Sequence, residues 1–289
     1  MNDRNVTENA DLASWIGRQE LRADIVDLRT AQALAATLDF DAGSIKSGSE
    51  LPPLWHWVYF TPSARASEIG PDGHPKRGGF LPPVELPNRM WAGGRLQFLQ
   101  PLRVGEAATR VSKIVRCERK SGRSGDLVFV TVEHTLSGER GVSLIEEHDI
   151  VYRQPSPRVG QSSGPLAGEK VEAEAEFRQT IHPDPVLLFR YSALTFNGHR
   201  IHYDHPYVTE VEGYPGLVFH GPLAATVLLE AFRAAHPEKC VRRFGFRAVG
   251  PLFDNTDFDV CGRITGPGTA ELWTDCAGRL TMKADVAFE

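Results

Sequence analysis

The side chains best suited to chemistry crowd into one stretch. Thr195-Phe196-Asn197-Gly198-His199-Arg200-Ile201-His202-Tyr203-Asp204-His205 is followed by Gly216-Leu217-Val218-Phe219-His220-Gly221-Pro222, and five of the ten histidines lie between residues 199 and 236. Imidazole titrates near neutral pH, so it can take a proton from water and hand it on. His199, His202 and His205 beside Asp204 are also metal-ligand types. The run lacks the helical i, i+4 histidine pair of zinc proteases, however, and no metal is assigned to it. The plainer alternative is a polar loop whose histidines only cap and bridge backbone groups.

The stretch resembles the signature of the MaoC-like, (R)-specific enoyl-CoA hydratases of the hotdog fold. That signature runs Asp-x-Asn-Pro-x-His-x-Asp, then a glycine-containing loop, then His-Gly at the start of the central helix. Asn197 stands at the catalytic Asp, His199 at the Asn, Arg200 at the Pro, His202 at the catalytic His and Asp204 at the trailing Asp, while His220-Gly221 matches the His-Gly. Three positions depart from the pattern, which breaks up the usual Asp/His pair. The form Thr-Phe-Asn-x-His-Arg-Ile-His-Tyr-Asp is similar to one branch, the mesaconyl-C4-CoA (3-methylfumaryl-CoA) and itaconyl-CoA hydratases. That branch also shares Gly73-His74-Pro75, Gly78-Gly79-Phe80-Leu81-Pro82-Pro83 and Met90-Trp91-Ala92-Gly93-Gly94. The resemblance implies an α+β double hotdog, antiparallel sheets wrapping a central helix that is complete in the C-terminal half and reduced in the N-terminal half. It further implies one working site per chain, no cofactor beyond the CoA of the substrate, and a homo-oligomer.

Adding water to an unsaturated thioester needs a base for the water, a proton for the α-carbon and stabilisation of an enolate-like oxyanion. Asn197 cannot accept a proton at its amide, so it is cast as an orienter of water. His202 is the first candidate for base and acid, and His199 the second. Gly221 would offer its backbone N–H at the positive end of the helix that follows, with His220 holding the turn or merely filling the core. Arg200 puts a permanent charge where the general signature has proline. It would hold the free carboxylate of a substrate such as mesaconyl-C4-CoA or itaconyl-CoA, or else pair with Asp204 and never touch substrate. A thioesterase would need a carboxylate to direct water at the carbonyl carbon, against which Asn197 argues; a non-enzymatic acyl-CoA-binding protein is the other alternative.

These residues must be positioned by the elements around them. Residues 30–38 read as a short helix capped by Thr30, and residues 55–89, dense in Pro and Gly, as a long ordered loop on the substrate side. Four strand candidates follow at 89–98, 107–116, 127–135 and 143–152, read as an antiparallel meander. The composition then shifts to Pro, Ser and Gly. Two helical segments, 185–193 and 222–235, precede four more strands at 241–249, 256–263, 269–276 and 281–288. The second strand series repeats the first in degenerate form, Arg95 to Leu102 resembling Arg243 to Leu252, with the 55–89 loop in place of the first half's central helix. The division is an N-terminal half (1–155), a linker (156–175) and a catalytic C-terminal half (176–289).

Bulk properties exclude other classes. A net charge of -5 offers no basic field for nucleic acid or an anionic membrane. The polar residues 1–11 lack the apolar core of a signal peptide, no run is long enough to span a bilayer, and four scattered cysteines suit reduced thiols. These features lead to the expectation of a cytoplasmic enzyme with an acyl-CoA thioester as its partner, and no nucleic acid or membrane.

Overall fold

Turn glycines and alternating apolar residues resolve into ten strands in the computed structural model, which describes residues 12–122, 125–154 and 169–289. They are β1 (Gln19–Ile25), β2 (Asn88–Phe98), β3 (Ala107–Gly122), β4 (Gly125–Gly138), β5 (Gly141–Arg153), β6 (Phe177–Ile181), β7 (Val241–Ala248), β8 (Phe258–Gly266), β9 (Thr269–Cys276) and β10 (Arg279–Phe288). Among the described residues the longer helices are α1 (Leu28–Thr37), α2 (Pro185–Leu194) and α3 (Gly221–Ala235). The strands form one sheet in the order β1-β3-β4-β5-β2-β7-β10-β9-β8-β6, and every pairing among them is antiparallel. The order is symmetric about the β2–β7 junction: each strand of the first half has its counterpart in the second, which is the architecture of a double hotdog. The degenerate repeat seen in the sequence falls on β2 and β7, which lie side by side with Leu96 opposite Phe244.

Three expectations are corrected. The first four predicted strands are not a simple meander, because β2 pairs with β5 and β7 while only β3-β4-β5 run as consecutive hairpins. Two edge strands, β1 and β6, escaped the sequence reading; both are short and mostly exposed, so they lack a buried apolar row to betray them. Helix α1 is capped by Asp27, whose carboxylate accepts from the Thr30 N–H at 2.9 Å, and not by Thr30.

The core sits between the concave sheet and α3. Leu223, Ala225, Leu228, Leu229 and Phe232 of that helix are buried, each large one contributing roughly 1.5–3 kcal/mol. In the first half the counterpart of α3 shrinks to a single 3-10 turn, Trp55–Val58, and the loop that follows closes over the vacant space. Residues 156–168 of the expected linker lie outside the described residues. Residues 169–175 are laid against the outside of the sheet, with Lys170 bridged to Arg279 and Val171, Ala173 and Ala175 packed on Cys261, Trp273 and Leu280.

Candidate active site

Helix α2 starts on the Asp184 cap, with Pro185 where a missing N–H costs nothing, and ends where Phe196 turns left-handed at φ 49°. A bulky residue in that region is a local strain that the surroundings must enforce. Here the Asn197 N–H returns to Ser192 O at 2.8 Å, and the Asn197 amide oxygen accepts from the His199 N–H at 3.0 Å. The chain then makes a 3-10 turn, Arg200–His202, which drops His202 into the interior.

A second loop locks onto this turn from the N-terminal half. Arg200 N–H donates to Asp72 O at 2.9 Å, and its guanidinium reaches Pro71 O at 3.1 Å. The two backbones touch at Gly73 and Gly198: Gly73 has φ +90°, and a Cβ there would lie 1.8 Å from Gly198 O. Only glycine fits.

The result is a string of imidazoles ending on a carboxylate. His202 stacks on His220 with centroids 3.7 Å apart, His199 stands edge-on to His202 at 5.5 Å, and His74 lies 4.0 Å from His199. Asp72 Oδ2 accepts from His74 Nδ1 at 3.2 Å, and its other oxygen takes the His74 backbone N–H at 3.1 Å. At the opposite end His220 Nε2 meets Ser192 Oγ at 2.8 Å, while its buried Nδ1 has no hydrogen-bond partner among the described residues. His202 Nδ1 lies 2.7 Å from Val218 O, which can only accept. The proton is therefore on Nδ1, and Nε2 is left as a basic lone pair.

Burial keeps these imidazoles neutral. It depresses His202 to about 4 and His199 to about 2, the latter helped by His74 and His202. His220 is pushed down by burial and by the two histidines nearest it. Burial also lowers His74, against the pull of Asp72. For Asp72 burial acts upward, but the side-chain and backbone N–H of His74 outweigh it and hold the carboxyl well below the usual range. At neutral pH the string thus comprises uncharged acceptors with one anion at its end.

The sequence candidates fall into place unevenly. Asn197, His199, His202 and His220 gather with Gly221, the first residue of α3, whose N–H has no partner within the helix. His205 is exposed and apart. Of the two roles open to Arg200, the pairing with Asp204 is made, at 2.9 and 2.7 Å, and the guanidinium also lies over the Tyr207 ring at 4.1 Å. Asp72 and His74 were missed as site residues. The signals that could have found them were the Asp-Gly-His spacing and the Gly73-His74-Pro75 match. Among the described residues Asp72, His74 and His199 are the one group whose ligand atoms, all within 4.8 Å of one another, could hold a cation. Of the basic residues in turn-rich stretches, Arg77 caps the carbonyls of Val84, Leu86 and Pro87 and Lys76 reaches Ser67 O, while Lys120 near the end of β3 pairs with Glu118.

Residues 54–254 match the family described as hydroxyacyl-thioester dehydratase type 2. The chain belongs to that family. Among similar proteins, the mesaconyl-C(4)-CoA hydratase of Chloroflexus aurantiacus is 48% identical over 258 residues, covering 89% of this chain and 91% of that protein. The mitochondrial hydroxyacyl-thioester dehydratase type 2 of Schizosaccharomyces pombe is 29% identical over 78% of this chain and 81% of its own. A solved MaoC-like dehydratase superposes with a TM-score of 0.71 at 15% identity, over 96% of this chain and all of the other, which establishes the shared fold. This family member is accordingly a hydro-lyase, a hydratase or dehydratase of acyl thioesters.

Proposed function

We propose that the protein, working in the cytoplasm, reversibly adds water to an α,β-unsaturated acyl-CoA whose acyl group carries a free carboxylate, of the mesaconyl-C4-CoA or itaconyl-CoA kind, with no cofactor beyond the CoA of the substrate. The observation that carries the reading is His202: its Nδ1–H is tied to Val218 O, so Nε2 is a fixed acceptor beside the opening turn of α3. In the hydration direction His202 takes a proton from water as the oxygen bonds to the β-carbon. The π electrons move onto the thioester oxygen, which the Gly221 N–H and the positive end of α3 stabilise. The proton then goes to the α-carbon as the enolate collapses, and His202 is neutral again.

The mesaconyl substrate class is supported by the name of the Chloroflexus relative. Arg200 is engaged by Asp204; Arg89, which stands near the start of β2 and hydrogen-bonds Tyr152, is a second cation whose charge acts on His74 and His199, and it is the candidate for the substrate carboxylate. The test is to incubate the purified protein with mesaconyl-C4-CoA, itaconyl-CoA and crotonyl-CoA and follow the gain of one water by mass. Gain on the dicarboxylic thioesters, lost selectively in Arg89→Leu, is expected. Release of free CoA would move the protein to thioester hydrolysis, and unchanged thioesters would leave a binding protein.

A further inference from the structure

The general signature supplies a carboxylate from the position that here is Asn197, and an amide cannot replace a base. Asn197 is moreover committed locally, its oxygen accepting from the His199 N–H at 3.0 Å. A carboxylate is nevertheless present beside the string, delivered by the other half of the molecule. Asp72 and His74 form a hydrogen-bonded pair at 3.2 Å, half-buried, with the His74 ring 4.0 Å from His199. The loop that carries them is not loosely apposed. It is bolted on through Arg200 N–H to Asp72 O, Arg200 to Pro71 O, and the Gly73–Gly198 contact that excludes any side chain. Three separate ties hold residues 71–74 against residues 198–200.

We propose that the Asp72–His74 pair is the transplanted carboxylate–imidazole function of this site, with His74 a catalytic acid/base and Asp72 its positioning residue. A carboxylate only accepts, so Asp72 fixes the His74 proton on Nδ1 and leaves Nε2 basic, and it supplies the counter-charge when an imidazolium forms. In hydration one O–H bond of water breaks, its proton passing to imidazole as the oxygen bonds to the β-carbon. The π pair moves to the thioester oxygen, and the same proton is returned to the α-carbon. One proton enters the string and one leaves, and Asp72 stays ionised throughout. His202 and His74 then flank His199 as two acceptors for the two hydrogens of the attacking water. The site is in this account built by both halves, and the 55–89 loop is part of the machinery.

The inference rests on the proposed proton chemistry but not on the identity of the acyl group. The experiment therefore measures turnover, hydration or hydrolysis, of whichever thioester of the panel the wild type transforms. His74→Gln and Asp72→Asn are each expected to lower kcat by about 10²–10³ with KM within a few-fold. The double variant should be no worse than the poorer single one, since the two act as a unit. Asn197→Asp, which restores the carboxylate to its signature position, should recover at least tenfold in the Asp72→Asn background. Independently of any substrate, the ring-nitrogen NMR shifts of His74 should report a proton on Nδ1 in the wild type and a changed tautomer in Asp72→Asn. Variants within threefold of wild type, a loss confined to KM, or no rescue by Asn197→Asp would overturn the proposal. So would activity that disappears on dialysis against a chelator and returns with a divalent cation, because Asp72, His74 and His199 would then be ligands.

Discussion

Leu51 N–H donates to Leu102 O at 2.8 Å, and Phe219 N–H donates to Leu252 O at the same 2.8 Å; the residues just before them form matching isolated bridges, Glu50 with Arg103 and Val218 with Phe253. Superposing the two turns sets Pro52 opposite His220 and Pro53 opposite Gly221. In the second half a helix of 15 residues follows, its first N–H groups open. In the first half Pro53 has no N–H to offer, Leu54 turns left-handed at φ 71°, and the helix stops after the four residues Trp55–Val58. Both halves also bury imidazole. In the first, Glu146 accepts from His56 Nε2 at 3.0 Å and from Trp57 Nε1 at 3.0 and 3.2 Å, and lies opposite His134, which is hydrogen-bonded to Ser112 at 2.8 Å. Burial acts to raise Glu146, but the hydrogen bond and charges of His56, His134 and His148 hold it down to about 2. A buried cluster of histidines and a carboxylate thus recurs away from the imidazole string. The second half differs in leaving His202 Nε2 unassigned next to helix N–H donors, whereas the first satisfies its carboxylate and has lost the donor.

The comparison breaks most visibly at Glu146. Glu146→Ala strands two buried donors, the His56 and Trp57 ring N–H groups, and at about 1–3 kcal/mol for each unsatisfied donor should cost about 2–5 kcal/mol in chemical denaturation. Turnover per folded molecule should stay within tenfold of wild type. An unchanged denaturation midpoint would show that the first-half cluster is not the satisfied network described above.

The next test makes the second turn like the first. Gly221→Pro removes the N–H that Pro53 also lacks; the His220 backbone at ψ 130° suits a following proline, and a Cβ at 221 would meet nothing within 4 Å. Turnover should fall by about 10²–10³, the usual loss of one oxyanion donor, while thermal stability moves little. Gly221→Ala keeps the N–H and should lose far less. Equal losses in the two would remove the Gly221 N–H from the oxyanion site.

Much of this was legible along the chain because it is written locally. Helix α3 announces itself by apolar spacing after Pro222, and the histidine run lies within a single turn-rich segment. What was not legible joins distant residues. Asp72 and His74 reach His199 across a fold that brings two loops together at a pair of glycines, and neither glycine advertises its partner. Arg200 has an acid four residues on, which fits the substrate role and the Asp204 pairing equally until the guanidinium is placed. The His56–Glu146 pair spans 90 residues, and in sequence each member looks like an ordinary polar residue. The edge strands failed for the opposite reason, since β1 and β6 bury too little to imprint a pattern.

The smallest expected effect compares the two halves by acid. His148 in the first and His202 in the second are both held at about 4, chiefly by burial, with Glu146 partly opposing the shift in His148. The folded-state values lie below the unfolded value near 6.5, so the unfolded chain binds protons first as pH falls. Stability from each group is complete above pH 6.5 and is lost progressively toward pH 4. Between pH 7 and pH 6 the loss is about 0.7 kcal/mol per histidine by linkage. Urea denaturation at the two pH values should show that His148→Gln and His202→Gln each flatten the dependence by that amount, whatever they do to stability at pH 7. The two halves would then be equivalent in how they bury imidazole, and different only in what they leave it free to do. If His202→Gln leaves the dependence as steep as in wild type, His202 is already protonated or solvated in the folded state, and its Nε2 is not the free acceptor on which the proposed base rests.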